Sequence, residues 1–393
     1  MRSSVIVAGA RTPIGKLLGS LKSFTAPELG GIAIRAALEQ AGIAGDEVQS
    51  VILGNVVQAG QGANPARQAA LNGGVPMTVP AVTLNKLCLS GLAAIAQADL
   101  AIRAEQTTIS VAGGFESMTN APHLLRGART GFKLGNAELE DSLERDALIC
   151  SIENKIMGVA TEDYQSAVGL TRIEQDEFAA GSHQKAAAAI AAGRFAEEIV
   201  PVRIKTRVGE SIFDTDEGVR SDVTTASLAK LRPAFSTVGT ITAGSASPLS
   251  DGGAALVVMD KAEAVRRGLP WLAEIISYGS VAGPDGSLLY QPAAAVTDAL
   301  RRSGGLRVQD LDVIEMNEAF ASVAIVSTRQ LGVDPDKVNP NGGAIALGHP
   351  VGMSGARLVL SLALELKRRG GGIGAATLCG GGGQGDALII RVE

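Results

Sequence analysis

Two regions of the chain alternate short, β-branched apolar runs with longer amphipathic segments. In the first, Ser4–Ala8 has strand character, and Thr25 with Glu28 forms a capping-box pattern opening a helix that stops at Gly42. Val51–Val57 predicts a strand, Asn64 caps a helix starting near Pro65, and Ala81–Leu84 predicts a further strand. An Ala-rich helix from Cys88 to about Glu105 and a strand over Thr108–Ala112 complete the series. Toward the C-terminus the same grammar returns. Leu272–Val281 predicts a strand, Pro292–Arg302 a helix, Asp312–Glu315 a strand and Glu318–Leu331 a helix. Gly352–Arg369 is a long helix, and Ile373–Cys379 and Ala387–Val392 are closing strands. Strands and helices alternating at this spacing predict an α/β fold with a mostly parallel sheet.

The two regions align with each other. Ala37-Leu38 through Val51-Ile52 to Asn55 matches Ala299-Leu300 through Val313-Ile314 to Asn317 without a gap. Ser90-Gly91 matches Ser354-Gly355, and Gly113-Gly114 matches Gly380-Gly381. Three matches in order, with the offset drifting only from 262 to 267, point to an internal duplication. The expected division is a first half over residues 1–120, completed by about 250–270, and a second half over residues 271–393. Between them, residues 121–249 have no counterpart and are expected to form an inserted loop domain.

Composition narrows the function. The 393 residues carry a net charge of −5 and 3% aromatics, and the longest basic run is Lys367-Arg368-Arg369, which disfavours a nucleic-acid groove. At 46% hydrophobic residues the chain is not disordered. Its 3 cysteines, Cys88, Cys150 and Cys379, are too scattered for a disulfide framework, so a reduced cytoplasmic setting is expected. No export or membrane segment is expected: the uncharged stretches Gln68–Asn85 and Val338–Ala356 are broken by Gly, Pro and Asn. Glycine is the oddity, with 49 residues against roughly 7% in average proteins. Much of the excess lies in the last sixty or so residues, where backbone must turn tightly or approach something closely.

Candidate chemistry sits among those glycines and at one helix start. Cys88, in Asn85-Lys86-Leu87-Cys88-Leu89-Ser90-Gly91, lies between a strand and a helix, where the helix dipole favours a thiolate; a small buried hydrophobe is an equal reading. Cys150 reads as core. Cys379 opens Gly380-Gly381-Gly382-Gly383-Gln384-Gly385, whose unscreened N–H groups suit an oxyanion site, although a tight hairpin accounts for part of the glycine. That segment formally matches a dinucleotide fingerprint, but a strand rather than a helix follows, and the reading is rejected. His349 stands on a Gly/Pro-rich loop before a long helix, a setting that displays an imidazole. His183 reads as a solvated helix residue and His123 as structural. Asn317 ends a strand and either holds a water or caps the next helix. Gly9–Lys16 has the wrong spacing for a phosphate loop, and no Cys/His grouping has zinc spacing. Two thiols, an imidazole, an amide and a glycine-rich donor loop, all at strand ends, suit acyl transfer through a thioester without a metal or redox cofactor.

Taken together, the motifs resemble the thiolase family over nearly the whole chain. They are Val7–Gly15, Gly114-Phe115-Glu116-Ser117-Met118, Asn317-Glu318-Ala319-Phe320-Ala321, Gly342–Gly355 and Cys379–Gly385. The resemblance implies two βαβαβαββ halves in a five-layered αβαβα body, with a loop domain over coenzyme A. It implies a reversible Claisen condensation of two acetyl-CoA to acetoacetyl-CoA and CoA, with acyl-CoA and CoA as partners and no cofactor. Cys88 becomes the acyl-carrying nucleophile and Cys379 the acid/base. His349 activates Cys88 and, with a water on Asn317, binds the enolate oxygen; the N–H groups of Cys88 and Gly381 form a second oxyanion hole. For coenzyme A the matching positions are Arg220, Ser227, Phe235, Ala243 and Ser247, with Met157, Leu288 and Phe320 at the acyl end. A homotetramer built from dimers and a role in fatty acid metabolism are also implied. Three positions depart from the family's pattern. Leu89 stands where many members have glycine, Ile156 where short-chain members have histidine, and Leu288 where many have methionine. A longer 3-ketoacyl-CoA substrate is the alternative. Decarboxylating condensing enzymes of the same fold want two histidines, and Cys379 occupies the second position here.

Overall fold

The computed structural model describes residues 2–206 and 209–393. Nine strands form one hydrogen-bonded path: β1 (Ser4–Arg11), β2 (Ser50–Gly54), β3 (Ala81–Leu84), β4 (Ile109–Ser117), β5 (Ser250–Asp260), β6 (Ala273–Ala282), β7 (Val313–Met316), β8 (Gly372–Gly380) and β9 (Gln384–Val392). Their spatial order is β7-β8-β9-β6-β1-β5-β4-β2-β3, and the two-residue strand Gly15–Lys16 pairs with β5. The duplication is visible in that order. Outward from the centre the first half runs β1, β5, β4, β2, β3. The second runs β6, β9, β8, β7, and then Val338, whose single parallel bridge to Ile314 stands where β3 stands. Within the sheet the halves join through two antiparallel pairs, Val5 with Glu274 and Ile6 with Ala273.

Helices α1 (Ala26–Ala41), α2 (Pro65–Asn72) and α3 (Ser90–Arg103) belong to the first half, and α4 (Arg172–Ala191) to the insertion. The second half holds α5 (Gln291–Arg302), α6 (Ala321–Leu331) and α7 (Ser354–Arg368). The start of α1 follows its sequence signal: the Thr25 N–H donates to the Glu28 carboxylate at 2.8 Å, and Gly42 ends the helix at φ 64°. Helix α3 packs on the first half's arm of the sheet and α7 on the second half's, and the two helices pack against each other. Their approach depends on the paired glycines. A Cβ on Gly91 would stand 2.7 Å from the Gly352 carbonyl oxygen, and one on Gly355 would stand 2.3 Å from the Leu92 nitrogen. Layers of helix, sheet, paired helices, sheet and helix give the thiolase-like αβαβα body.

The sheet is mixed rather than mostly parallel: β2 pairs parallel with β3 and β4, and β7 with β8, while the pairs joining β1, β4, β5, β6, β8 and β9 are antiparallel, because these neighbours run in opposite directions across the centre of the sheet. Two further elements differ from the sequence reading in ways that matter for the site. The strand expected to reach Val57 stops at Gly54: the Asn55 N–H still donates to the Leu84 carbonyl at 3.0 Å, but those of Val56 and Val57 turn to the buried Glu116 carboxylate at 3.0 and 3.1 Å. The helix expected from Cys88 begins at Ser90, which leaves Cys88 in a turn where Leu87 has φ 52°. Between β4 and β5, the insertion carries α4, a helix over Met157–Gln165, a hairpin of Val202–Thr206 with Gly209–Phe213, and a short helix over Thr225–Leu228. Among the described residues no helix is long and apolar enough to cross a membrane.

Candidate active site

The second half turns its strand ends into a set of loops. β8 ends at Gly380 and β9 begins at Gln384, so the four glycines do make the tight hairpin, with Gly382 and Gly383 at φ 76° and 68°. The same absence of side chains lets the Cys88 turn approach. A Cβ on Gly380 would meet Leu89 Cγ at 2.6 Å, and one on Gly381 would meet Leu87 Cδ1 at 2.7 Å. The tight-hairpin reading of this segment therefore holds, and the glycines also bring the hairpin against the Cys88 turn. The backbone N–H groups of Cys88 and Gly381 favour the charged form of the Cys88 sulfur.

Cys88 and Cys379 are both buried. Burial pushes the Cys88 thiol up to about 12, with the Glu116 carboxylate adding to the rise and the two N–H groups opposing it. The thiolate expected from a helix dipole is therefore not the resting form: Cys88 lies outside the helix, and desolvation outweighs the backbone donors. Burial also raises Cys379, and the neighbouring Cys88 raises it further. The paired thiols rest as S–H groups. Cys150 is buried, as core packing requires, and His123 is exposed.

His349 is held on the loop between Gly348 and α7. The loop needs glycine at 348, where φ is 117° and a Cβ would stand 2.5 Å from Ile14 Cγ2. The His349 backbone N–H donates to Ser250 Oγ at 3.1 Å, and its Nδ1 lies 2.6 Å from Ser354 Oγ. Nε2 lies 3.4 Å from Asn317 Nδ2. Burial, then the Arg357 guanidinium, lower the His349 pKa to about 3, so the imidazole is neutral near pH 7. Asn317 does not cap the following helix, which begins at Ala321 after Phe320. Its Oδ1 is buried and without a partner, a position that suits a water.

At the acyl end, Leu288, Phe320 and Cys379 belong to one buried apolar cluster with Ile241 and Val323, and Phe235 packs against it. The rings of Phe235 and Phe320 meet edge to face at 5.9 Å. Met157 overhangs Gly381, its Cε being 2.4 Å from where a Cβ would stand. Ser247 is half-buried and donates to the Ala319 carbonyl at 3.2 Å. Arg220, Ser227 and Ala243 are exposed on the insertion. Ser227 closes the capping box of the short helix, accepting the Thr224 N–H at 3.0 Å. His183 is buried rather than solvated: α4 lies beneath the 339–345 loop, and the Arg220 N–H donates to His183 Nδ1 at 3.3 Å. Burial and Arg220 lower its pKa to about 4.

Two carboxylates that sequence spacing did not single out frame these loops. Glu116 gathers the N–H groups of Val56, Val57 and Gly352 and the Asn55 amide, so it ties the first half to the loop bearing His349. Glu318 accepts Ser182 Oγ at 2.7 Å, Asn339 Nδ2 at 2.8 Å and the Ile345 N–H at 3.1 Å. Their position inside the quoted family motifs was the available signal. Nothing in the residue pattern alone distinguishes a buried anchoring carboxylate from a surface one.

Duplicated α/β halves, with two buried thiols beside a glycine turn at the junction of their strand ends, fit an enzyme of the acyltransferase class. The chain matches the thiolase N-terminal domain over residues 4–262 and the thiolase C-terminal domain over residues 269–392. It is 58% identical, over 98% of its length and 100% of the relative's, to the probable acetyl-CoA acetyltransferase of Mycolicibacterium smegmatis. It is 50% identical to the acetyl-CoA acetyltransferase of Pseudomonas aeruginosa, over 99% of both chains. The crystal structure of the Bacillus anthracis acetyl-CoA acetyltransferase superimposes with a TM-score of 0.96 at 41% identity, covering 100% of this chain and 99% of that one. This chain belongs to the thiolase family.

Proposed function

We propose that the chain is an acetyl-CoA C-acetyltransferase, condensing two acetyl-CoA reversibly to acetoacetyl-CoA and CoA. The observation that carries this reading is the close packing of the Gly380-Gly381 turn, which follows the buried Cys379, on Leu87 and Leu89, which flank the buried Cys88, beside the His349–Asn317 pair. Cys88 attacks the thioester carbonyl while His349 Nε2 takes its proton. The N–H groups of Cys88 and Gly381 receive the negative oxygen, and each such donor contributes about 3–4 kcal/mol to the transition state. The departing CoA thiolate takes the Cys379 proton, leaving acetyl-Cys88, a Cys379 thiolate and a His349 imidazolium. That opposed pair is the charge state a buried site tolerates.

The Cys379 thiolate then removes the α-proton of the second acetyl-CoA. The enolate oxygen is held by His349 Nε2–H and by a water on Asn317 Oδ1. The enolate carbon attacks acetyl-Cys88, acetoacetyl-CoA forms as the Cys88–acyl bond breaks, and His349 returns its proton to the Cys88 sulfur. No cofactor enters this cycle. Arg220, Ser227, Ala243, Ser247 and Phe235 form the coenzyme A path across the inserted domain of residues 121–249, with one half over 1–120, completed by about 250–270, and the other over 271–393. Met157, Leu288 and Phe320 bound the acyl end. A cytoplasmic homotetramer serving fatty acid metabolism is part of the same reading.

A spectrophotometric thiolysis assay tests it, with acetoacetyl-CoA and CoA beside a 3-ketoacyl-CoA series of roughly six to ten carbons. Efficiency greatest on the four-carbon substrate supports the reading, because Leu288, Phe320 and Phe235 already fill the acyl end. Greater efficiency on longer chains overturns it.

A further inference from the structure

We propose that Ser354 is a positioning residue: its hydroxyl accepts the Nδ1–H of His349 and so fixes the imidazole tautomer whose Nε2 lone pair is free. The inference rests on the reading of His349 as the base for Cys88. Ser354 is buried, with Oγ 2.6 Å from His349 Nδ1 and 2.9 Å from the Pro350 carbonyl oxygen. A hydroxyl carries one hydrogen and two lone pairs. With that hydrogen on Pro350, only an acceptor role toward Nδ1 remains. On the ring's far side the Asn317 amide nitrogen, a donor, faces Nε2 at 3.4 Å. An Nε2–H there would set two donors against each other in a buried site, at the cost of an unmade hydrogen bond. All donations then run one way: Asn317 to Nε2, Nδ1 to Ser354, Ser354 to Pro350.

The duplication supplies an internal comparison. Ser90, the matching residue at the start of α3, donates to the Leu87 carbonyl at 2.6 Å and accepts the Lys86 backbone N–H at 2.8 Å. Each serine gives its hydrogen to a carbonyl a few residues back and takes a hydrogen from an N–H. Only in the second half does that N–H belong to an imidazole. Because His349 is neutral at rest, its tautomer rather than its charge decides whether Nε2 can accept the thiol proton. The Nδ1–H bond also survives when Nε2 is protonated.

The test is NMR of enzyme carrying 15N-labelled histidine, with the His349 signals assigned by loss in His349→Asn. The expected wild-type pattern is Nδ1–H with unprotonated Nε2. In Ser354→Ala that pattern gives way to the other tautomer or a mixture, and kcat for thiolysis falls roughly 10- to 100-fold with KM little changed. Ser90→Ala leaves the His349 pattern in place. A wild-type Nε2–H pattern overturns the proposal, as does an unchanged Nδ1–H pattern in Ser354→Ala whatever its rate. Should Ser354→Ala fail to fold, the wild-type spectrum still decides. An enzyme with the Nδ1–H pattern but no thiolysis would instead overturn only the functional reading.

Discussion

Asn55 and Asn317 occupy the same place in the two halves, one residue beyond matching parallel strands, and both leave a buried Oδ1 unpartnered. Their amide nitrogens have gone to different ends. Asn55 Nδ2 donates at 2.8 Å to Glu116, a carboxylate that already gathers three backbone N–H groups and so builds a rigid anchor. Asn317 Nδ2 faces an imidazole at 3.4 Å, a long contact, and its Oδ1 is left for the water of the proposed cycle. One scaffold thus yields an anchor in the first half and a donor facing an imidazole in the second. In the proposed cycle the nucleophile stands on the anchored half, and the groups that move protons stand on the other.

That division can be broken most severely at the thiols. Cys88→Ala is expected to lower thiolysis by at least about 10⁴-fold, measured as loss of the acetoacetyl-CoA absorbance. Next come the two asparagines. Asn317→Ala should lower kcat roughly 10²- to 10³-fold with an unchanged urea midpoint. Asn55→Ala should instead cost about 1–3 kcal/mol of stability in urea unfolding, with catalysis affected less. Equal effects on both readouts at both positions would dissolve the distinction between anchor and donor.

A smaller effect separates His349 from simple thiol ionisation. Cys88 sits near 12 and His349 near 3, so neither titrates between about pH 6 and 9. Alkylation of Cys88 by iodoacetamide is expected to be flat over that range while the neutral imidazole acts as base. In His349→Ala the rate should rise about tenfold per pH unit, because thiolate is then made only by ionisation below the raised pKa. Smallest is the effect at the helix crossing. Gly91→Ala and Gly355→Ala should each cost about 1–3 kcal/mol by overpacking, because each new Cβ meets backbone of the opposite half at 2.7 and 2.3 Å. Comparable losses at both positions would reflect the symmetry of the paired helices.

The element order and the duplication were legible because they rest on local signals: capping at Thr25 and Asn64, terminating glycine at Gly42, and matched Ser-Gly pairs at helix starts. The site's members were legible as chemistry, from cysteine, histidine and glycine in particular settings. Their protonation was not. The burial of Cys88 comes with the close packing of its neighbour Leu89 on Gly380 from the opposite half, and no local pattern encodes that contact. His183 misled for the same reason. Its neighbours Ser182, Gln184 and Lys185 are polar, yet α4 is covered by the 339–345 loop, and Gly342 approaches so closely that a Cβ would stand 2.5 Å from the Ser182 carbonyl oxygen. The end of β2 was missed because a distant carboxylate, Glu116, draws Val56 and Val57 away from strand pairing.

The central claim is that Cys88 carries the acyl group and Cys379 moves the proton. The most direct measurement is mass spectrometry of Cys379→Ala after incubation with acetyl-CoA, with Cys88→Ala beside it. The account predicts one added acetyl group on the Cys88 peptide of Cys379→Ala, no acetoacetyl-CoA, and no label in Cys88→Ala. Acetyl found on Cys379 of Cys88→Ala, or acetoacetyl-CoA made by Cys379→Ala at the wild-type rate, would contradict it.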